Sequence, residues 1–324
     1  PQSASGGAGA PTGAGAQTGA GAPSSAGSTG GSAPTSAAAV TAPADESVPN
    51  APAGAPEARP DDFDYQFGAG YIHQFSAELD NGAKMSADRF YASFSSRMVK
   101  TDDFSLSLAM GYEFDWYHWK GTSSLGTNDP FGSVNLFALQ LRGRWQIAPE
   151  WALGVGGIFG VAGETSADAG DSIYGGGIAS IAWTPSRDLM LGVGVLGVTQ
   201  LEDDPLVIPI PVVHWKFADE WVLSTIRRPP ASPFVGIDVA WEPASSPLDA
   251  SIGVAWQSRR FRLGPNTAPN LNNGVGEDVS LAMLATVGWD MCANARLTMV
   301  GGFNFYEKIE VENSVGRQIR NVDM

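Results

Sequence analysis

The sequence predicts an all-β protein: a closed, antiparallel, up-and-down transmembrane β-barrel of 12–14 strands behind a disordered leader. Three observations predict it. Large apolar residues recur at every second position over unusually long stretches, the positions between them are small or polar, and tryptophan gathers beside short turns. Residues 1–61 are read as the leader and 62–324 as the barrel.

The leader is nearly all Ala, Gly, Ser, Thr and Pro and has no aromatic residue before position 60. Such a segment cannot bury enough apolar surface to offset its ordering entropy, so a flexible spacer is expected. No secretory signal is visible at Pro1. A signal peptide already removed, or an internal start, fits the export that the rest of the pattern demands. The leader would then lie in the periplasm.

The alternation is clearest from Phe104 to Trp116. Phe104, Leu106, Leu108, Met110, Tyr112, Phe114 and Trp116 take one face, and Ser105, Ser107, Ala109, Gly111, Glu113 and Asp115 the other. Period two is the strand period, because successive side chains leave opposite faces. Thirteen residues suit a membrane-crossing strand better than a globular one, whose usual length is about five or six. Repeats of the pattern place strands at 65–76, 84–97, 104–117, 133–147, 151–162, 173–184, 188–199, 206–217, 220–227, 234–242, 249–262, 277–290 and 294–306. A fourteenth is expected after Gly316, since single-chain barrels of this type are usually even. It has barely begun at Met324, so the chain reads as a fragment; merging two short strands would give twelve. The second face is Gly, Ala and Ser rather than the Lys, Glu and Thr of a wetted sandwich face, which favours a lumen over solvent. In hydrocarbon every backbone polar group needs a partner, so a spanning sheet must close on itself.

Trp145, Trp151, Trp183, Trp215, Trp221, Trp241 and Trp289 flank short turns. Indole prefers the headgroup zone, so these seven are read as a membrane-interface girdle, against packing at the strand ends of a sandwich. Longer connections alternate with the short turns: 120–132, 163–172, 201–206, 227–233, 263–276 and 307–316. Short turns on the periplasmic side and longer loops outside is the outer-membrane arrangement.

Composition excludes several classes. A net charge of −15 opposes nucleic-acid binding. The longest nearly apolar run, Leu189–Val198, is half the roughly 20 residues of a spanning helix. Cys292 is the sole cysteine, so neither an internal disulfide nor a Cys-based metal site is possible.

In Ile208-Pro-Ile-Pro-Val-Val-His-Trp215, followed by Glu220-Trp-Val-Leu223 and Pro229, the chain resembles a family of uncharacterised, porin-like bacterial outer-membrane β-barrel proteins. The likeness covers about 25 residues. It implies a fold and a location, and no chemistry.

Pro209 and Pro211 lie two apart in one strand, so both missing N–H groups face the same neighbour. That marks either a bulge without function or a lateral kink opening toward an apolar solute. Glu113, Asp115, Arg142, Arg144, Asp238 and Arg296 fall on the small or polar face. They can line an aqueous pore and set its ion preference, or pair and plug a narrow barrel. Of three histidines, His73 lies on an outward register and His214 precedes Trp215. His118, near Asp115 and Asp129, is the one contender for a membrane-embedded hydrolase, against an interfacial histidine. Gly192-x-Gly194-x-x-Gly197 matches a dinucleotide fingerprint in letters, but no helix follows it. Glu202, Asp203 and Asp204 are read as a solvated acidic loop, with surface Ca²⁺ as the alternative.

No catalytic residue, metal or cofactor is expected. The expected partners are outer-membrane lipid and, during insertion, the barrel-assembly machinery. The function expected is a passive pore or channel for small solutes; the alternative is a structural or tethering barrel with a blocked lumen and no transport or enzymatic activity.

Overall fold

The computed structural model describes residues 35–40, 64–79, 82–121, 130–226, 234–265, 271–292, 295–313 and 318–323. They form β1 (Thr35–Val40), β2 (Asp64–Glu78), β3 (Lys84–Lys100), β4 (Phe104–Lys120), β5 (Ser133–Ala148), β6 (Trp151–Glu164), β7 (Ile173–Ser186) and β8 (Leu189–Gln200). Then come β9 (Asp203–Ala218), β10 (Trp221–Ile226), β11 (Phe234–Trp241), β12 (Leu248–Arg262), β13 (Val275–Cys292), β14 (Ala295–Glu312) and β15 (Gln318–Asp323). One 3₁₀ turn, Gly170–Ser172, precedes β7.

Each strand pairs with the next in the chain, and β1 also pairs with β14, so the sheet closes into an antiparallel barrel. All thirteen expected strands are present as β2 to β14. The fourteenth place in the wall is shared. β15 pairs with Lys308–Glu312 of β14, and β1 pairs lower on the same strand, with Thr298–Gly302. β1 comes from the stretch expected to be a spacer. It lies between two strands that each offer free N–H and C=O groups, the strongest local reason for a backbone to become extended.

The alternation sorts the faces as expected. Phe67, Phe90, Trp116, Val193, Val207, Ile252 and Met299 are exposed on the outside of the ring, while Ala87, Ala138, Gln140 and Ala255 are buried inside it. Leu106, Leu139 and Val239 also face outward and are half-buried, and the described strands form no second sheet over them.

Two connections differ from expectation. The link expected at 201–206 is a two-residue turn, Leu201-Glu202, with Glu202 at φ 57° and β9 already under way at Asp203. The loop expected from Glu307 is strand as far as Glu312. In both places charged residues hid the strand: Asp203 and Asp204 are exposed at the start of β9, whereas Glu307 faces protein partners and is 2 % exposed.

The interior is not a uniform tube. Toward the end that carries the longer connections, Met85, Leu136, Phe131, Phe261, Leu263, Leu271 and Ile309 pack into a fully buried apolar cluster. The end of β12 crosses the lumen to reach the far wall, where Arg262 pairs with Gly163 of β6. That bridge closes a smaller ring of seven strands, β6 to β12, inside the larger one. Residues 257–264 of β12 and its continuation are accordingly buried on both faces.

Candidate functional site

Beneath the apolar cluster lies a buried ionic layer, built from inward positions of β2, β3, β4, β12, β13 and β14. Arg89 Nη2 donates to Asp278 Oδ2 at 2.9 Å and Nη1 to Gln74 Oε1 at 2.7 Å. Arg259 Nε donates to Glu113, and its guanidinium also lies 3.4 Å from Asp115 and 3.7 Å from Asp278. The Tyr117 hydroxyl donates to Asp278 at 2.9 Å, and Gln74 Nε2 donates to both oxygens of Glu307, at 2.8 and 3.0 Å. Two guanidinium groups therefore hold together carboxylates from β4 and β13, and Gln74 ties in Glu307 of β14. Buried charges are tolerable only in such company.

The six charged residues expected to face the lumen all lie on its register, but they form no single site. Glu113 and Asp115 belong to the buried layer. Asp238 accepts from the Ser224 hydroxyl at 2.7 Å. Arg296 sits at the opposite rim, bonded to Asp249 and, at 3.1 Å, to Asp290. Arg142 Nε and Arg144 Nη2 are buried without a hydrogen-bond partner among the described residues. Their strand partners on β6 are Gly156 and Gly154, which have no side chain to offer an acceptor. Sequence reasoning missed Arg89, Gln74, Arg259, Asp278 and Glu307. Arg89 and Asp278 stood on the inward register of correctly placed strands, a signal that was legible. Glu307 was lost with the misplaced loop.

A cavity of about 70 Å³ adjoins the layer, lined by Gln74, Arg89, Gln257, Arg259, Ser280 and Asn304 among others. Over the cluster above it, Arg260 fastens β12 to Glu277 and Glu312 and donates from Nε to the Leu201 carbonyl. Arg262 donates to Glu202 and to the carbonyls of Asp171 and Asn273. Glu202 thus serves a latch. Among the described residues no acidic or histidine group has a metal-binding arrangement.

Pro209 and Pro211 face outward on β9. Toward β8 the ladder is continuous from Leu189↔Trp215 to Val198↔Leu206. Toward β10 it ends at Ser224↔His214. Above that point the Thr225 hydroxyl donates to the Pro211 carbonyl at 2.7 Å and accepts from the Val213 N–H at 3.0 Å. Because Pro211 turns its carbonyl to β10, its missing donor is lost on that side too.

The seven tryptophans flanking turns are all exposed on the outer face at the end with the shorter turns. Two of them share one device. Trp183 Nε1 donates to Glu150 at 3.0 Å and Trp241 Nε1 to Glu220 at 2.9 Å, each glutamate immediately preceding another tryptophan. His73 and His118 face outward, and His214 inward. The carboxylate at His118 is Asp88, not Asp115, which lies on the opposite face of the sheet. Asp129 is outside the described residues.

No protein-family model and no curated protein matches the chain. Among solved structures it is similar to CdiB from Acinetobacter baumannii, at 8 % identity and a TM-score of 0.29, over 84 % of this chain and 60 % of that one. This chain spans about three-fifths of the CdiB chain's length.

Proposed function

We propose that this chain is a bacterial outer-membrane barrel that acts as a structural or tethering element with a blocked lumen, not as a passive pore. The observation that carries the reading is the crossing of β12 to β6 over a fully buried apolar cluster and an ionic layer. An aqueous path along the axis would have to break all three. The membrane assignment is supported by an outer face covered mostly with exposed large apolar side chains, with tryptophan at one rim. A soluble protein rarely leaves so extended an apolar surface uncovered. The resemblance carried by Ile208–Leu223 points the same way. Lipid is then the standing partner, barrel-assembly machinery the transient one, and the leader lies on the periplasmic side.

Protein refolded into planar bilayers, with folding verified by altered gel mobility before heating, tests this directly. The expected outcome is no steady single-channel current. Reproducible unitary conductance from the folded chain would favour the pore reading, which draws on the unpartnered Arg142 and Arg144 groups.

A further inference from the structure

Polar side chains break the apolar outer face near the ends of β3 and β4. Lys84, Ser86 and Asp88 share the outward register of β3 with Phe90. Their partners on β4 are Lys120, His118, Trp116 and Phe114, in that order. The Asp88 carboxylate gathers three side chains: His118 Nε2 at 2.9 Å on Oδ2, His73 Nδ1 at 2.7 Å on Oδ1, and the Tyr71 hydroxyl on Oδ1. Ser86 stands directly across from His118. Cross-strand partners hold their Cβ atoms about 4.5–5.5 Å apart, which sets the serine and the imidazole side by side on the outer face. The His118 side chain is 54 % exposed, open to a substrate arriving from outside the ring.

We propose that Ser86, His118 and Asp88 are the nucleophile, general base and orienting carboxylate of an acyl-ester hydrolase working on lipid at the barrel's outer face. Nucleophile, base and a third group that fixes the base are what activation of a serine requires. The position fits the substrate class. Tyr71, Phe90 and Trp116 are exposed at or just below the level of Asp88, the aromatic edge at which ester carbonyls lie when acyl chains run down the wall. One register above Ser86 and His118, Lys84 and Lys120 face each other. Like charges directly opposite are unfavourable, and the phosphate of an anionic headgroup relieves them. Glu78, 3.8 Å from Lys84, tempers that field. His73 and Tyr71 are positioning residues that hold the Asp88 carboxylate.

In the reaction the Ser86 oxygen bonds to the ester carbonyl carbon while His118 takes the hydroxyl proton. The bond to the alcohol oxygen breaks, and His118 returns the proton to it. Water then attacks the acyl-serine in the same way, giving a free fatty acid and restoring Ser86. No oxidant or reductant enters.

The substrate assignment rests on the membrane reading above, whereas the reactivity of the serine does not. The test treats the folded full-length chain with a fluorophosphonate probe and maps the adduct by mass spectrometry. In parallel, fatty-acid release from micelles of phosphatidylethanolamine and nonionic detergent is measured. The adduct is expected on Ser86, absent in S86A and at least tenfold slower in H118Q and D88N, with heat-modifiable gel mobility retained. H73Q shifts the pH profile of labelling without changing that mobility. Absence of an adduct at Ser86 in folded protein, or an undiminished rate in H118Q, overturns the site, as does labelling without any fatty-acid release. A chain that labels but does not enter lipid vesicles refutes the membrane reading and leaves the serine site standing. One that inserts but never labels refutes the site alone.

Discussion

Arg89 and Arg259 are buried, and each is shared by more than one carboxylate. Removing one member of such a buried network strands the charges left behind, at about 3–5 kcal/mol. Arg89→Met should therefore lower the urea midpoint of the folded barrel sharply, followed by gel mobility. Arg142→Met removes a group whose Nε already lacks a partner, and should leave the midpoint within about 1 kcal/mol or raise it. The glycines of the false fingerprint separate by the same logic. A Cβ on Gly192 would lie 2.2 Å from the Ile181 carbonyl oxygen, whereas one on Gly197 meets nothing within 4 Å. Gly192→Ala should cost about 1–3 kcal/mol by forcing β7 and β8 apart. Gly197→Ala should change stability by less than about 0.5 kcal/mol in the same assay. Close strand packing is what selects glycine at position 192.

At the scale of the element, two strands depart from simple wall geometry. β9 is held to β8 along its length, but above His214 it meets β10 only through the Thr225 hydroxyl. Thr225→Val leaves the Val213 N–H and the Pro211 carbonyl without that partner, at about 1–3 kcal/mol. Amide exchange at Val213 should quicken while exchange at Val193 to Val198 stays slow. β12 is the second case, since its end stays paired to β13 but has left β11 and is latched toward β6 instead. Arg262→Ala removes three hydrogen bonds from one guanidinium, and bonds to charged groups are worth about 1.5–3 kcal/mol each. The Leu263 amide, bonded to the Gly274 carbonyl, reports that loosening by faster exchange. The alternation predicted both strands nearly to their ends, as β9 and β12 show. It could not predict the crossing, because period two specifies which face a residue takes and not which far wall a strand tip touches. Arg260 and Arg262 looked like ordinary charged residues near a strand end, and only the fold brings Glu202, Glu277 and Glu312 to them.

For the whole molecule, the order of strands, the closed ring and the inward and outward faces were all legible in the alternation and the turns. The occluded mouth was not, since it arises from apolar residues such as Phe131, Phe261 and Leu271 at loops and strand ends, where periodicity gives no guidance. If the ring of seven tryptophans marks a lipid boundary, brominated acyl chains should quench them according to depth. Bromine near the headgroup should quench more strongly than bromine at the chain end, and the contrast should weaken in W145F, W215F and W289F combined. Equal quenching at both depths would remove the boundary.

The bridge from Arg262 to Gly163 also has a kinetic meaning. Nearly every other contact in the wall joins strands that are consecutive in the chain, so the sheet can zip up locally, hairpin by hairpin. The bridge joins segments almost a hundred positions apart, and β1 with β14 joins segments still farther apart. Contacts at such separation form late, because loop-closure entropy must be met first. The tip of β12 therefore has to swing inside an unfinished, open-sided sheet before the last seam is drawn shut. Once that seam has formed the tip is trapped, so its departure, like its arrival, would require the ring to come apart.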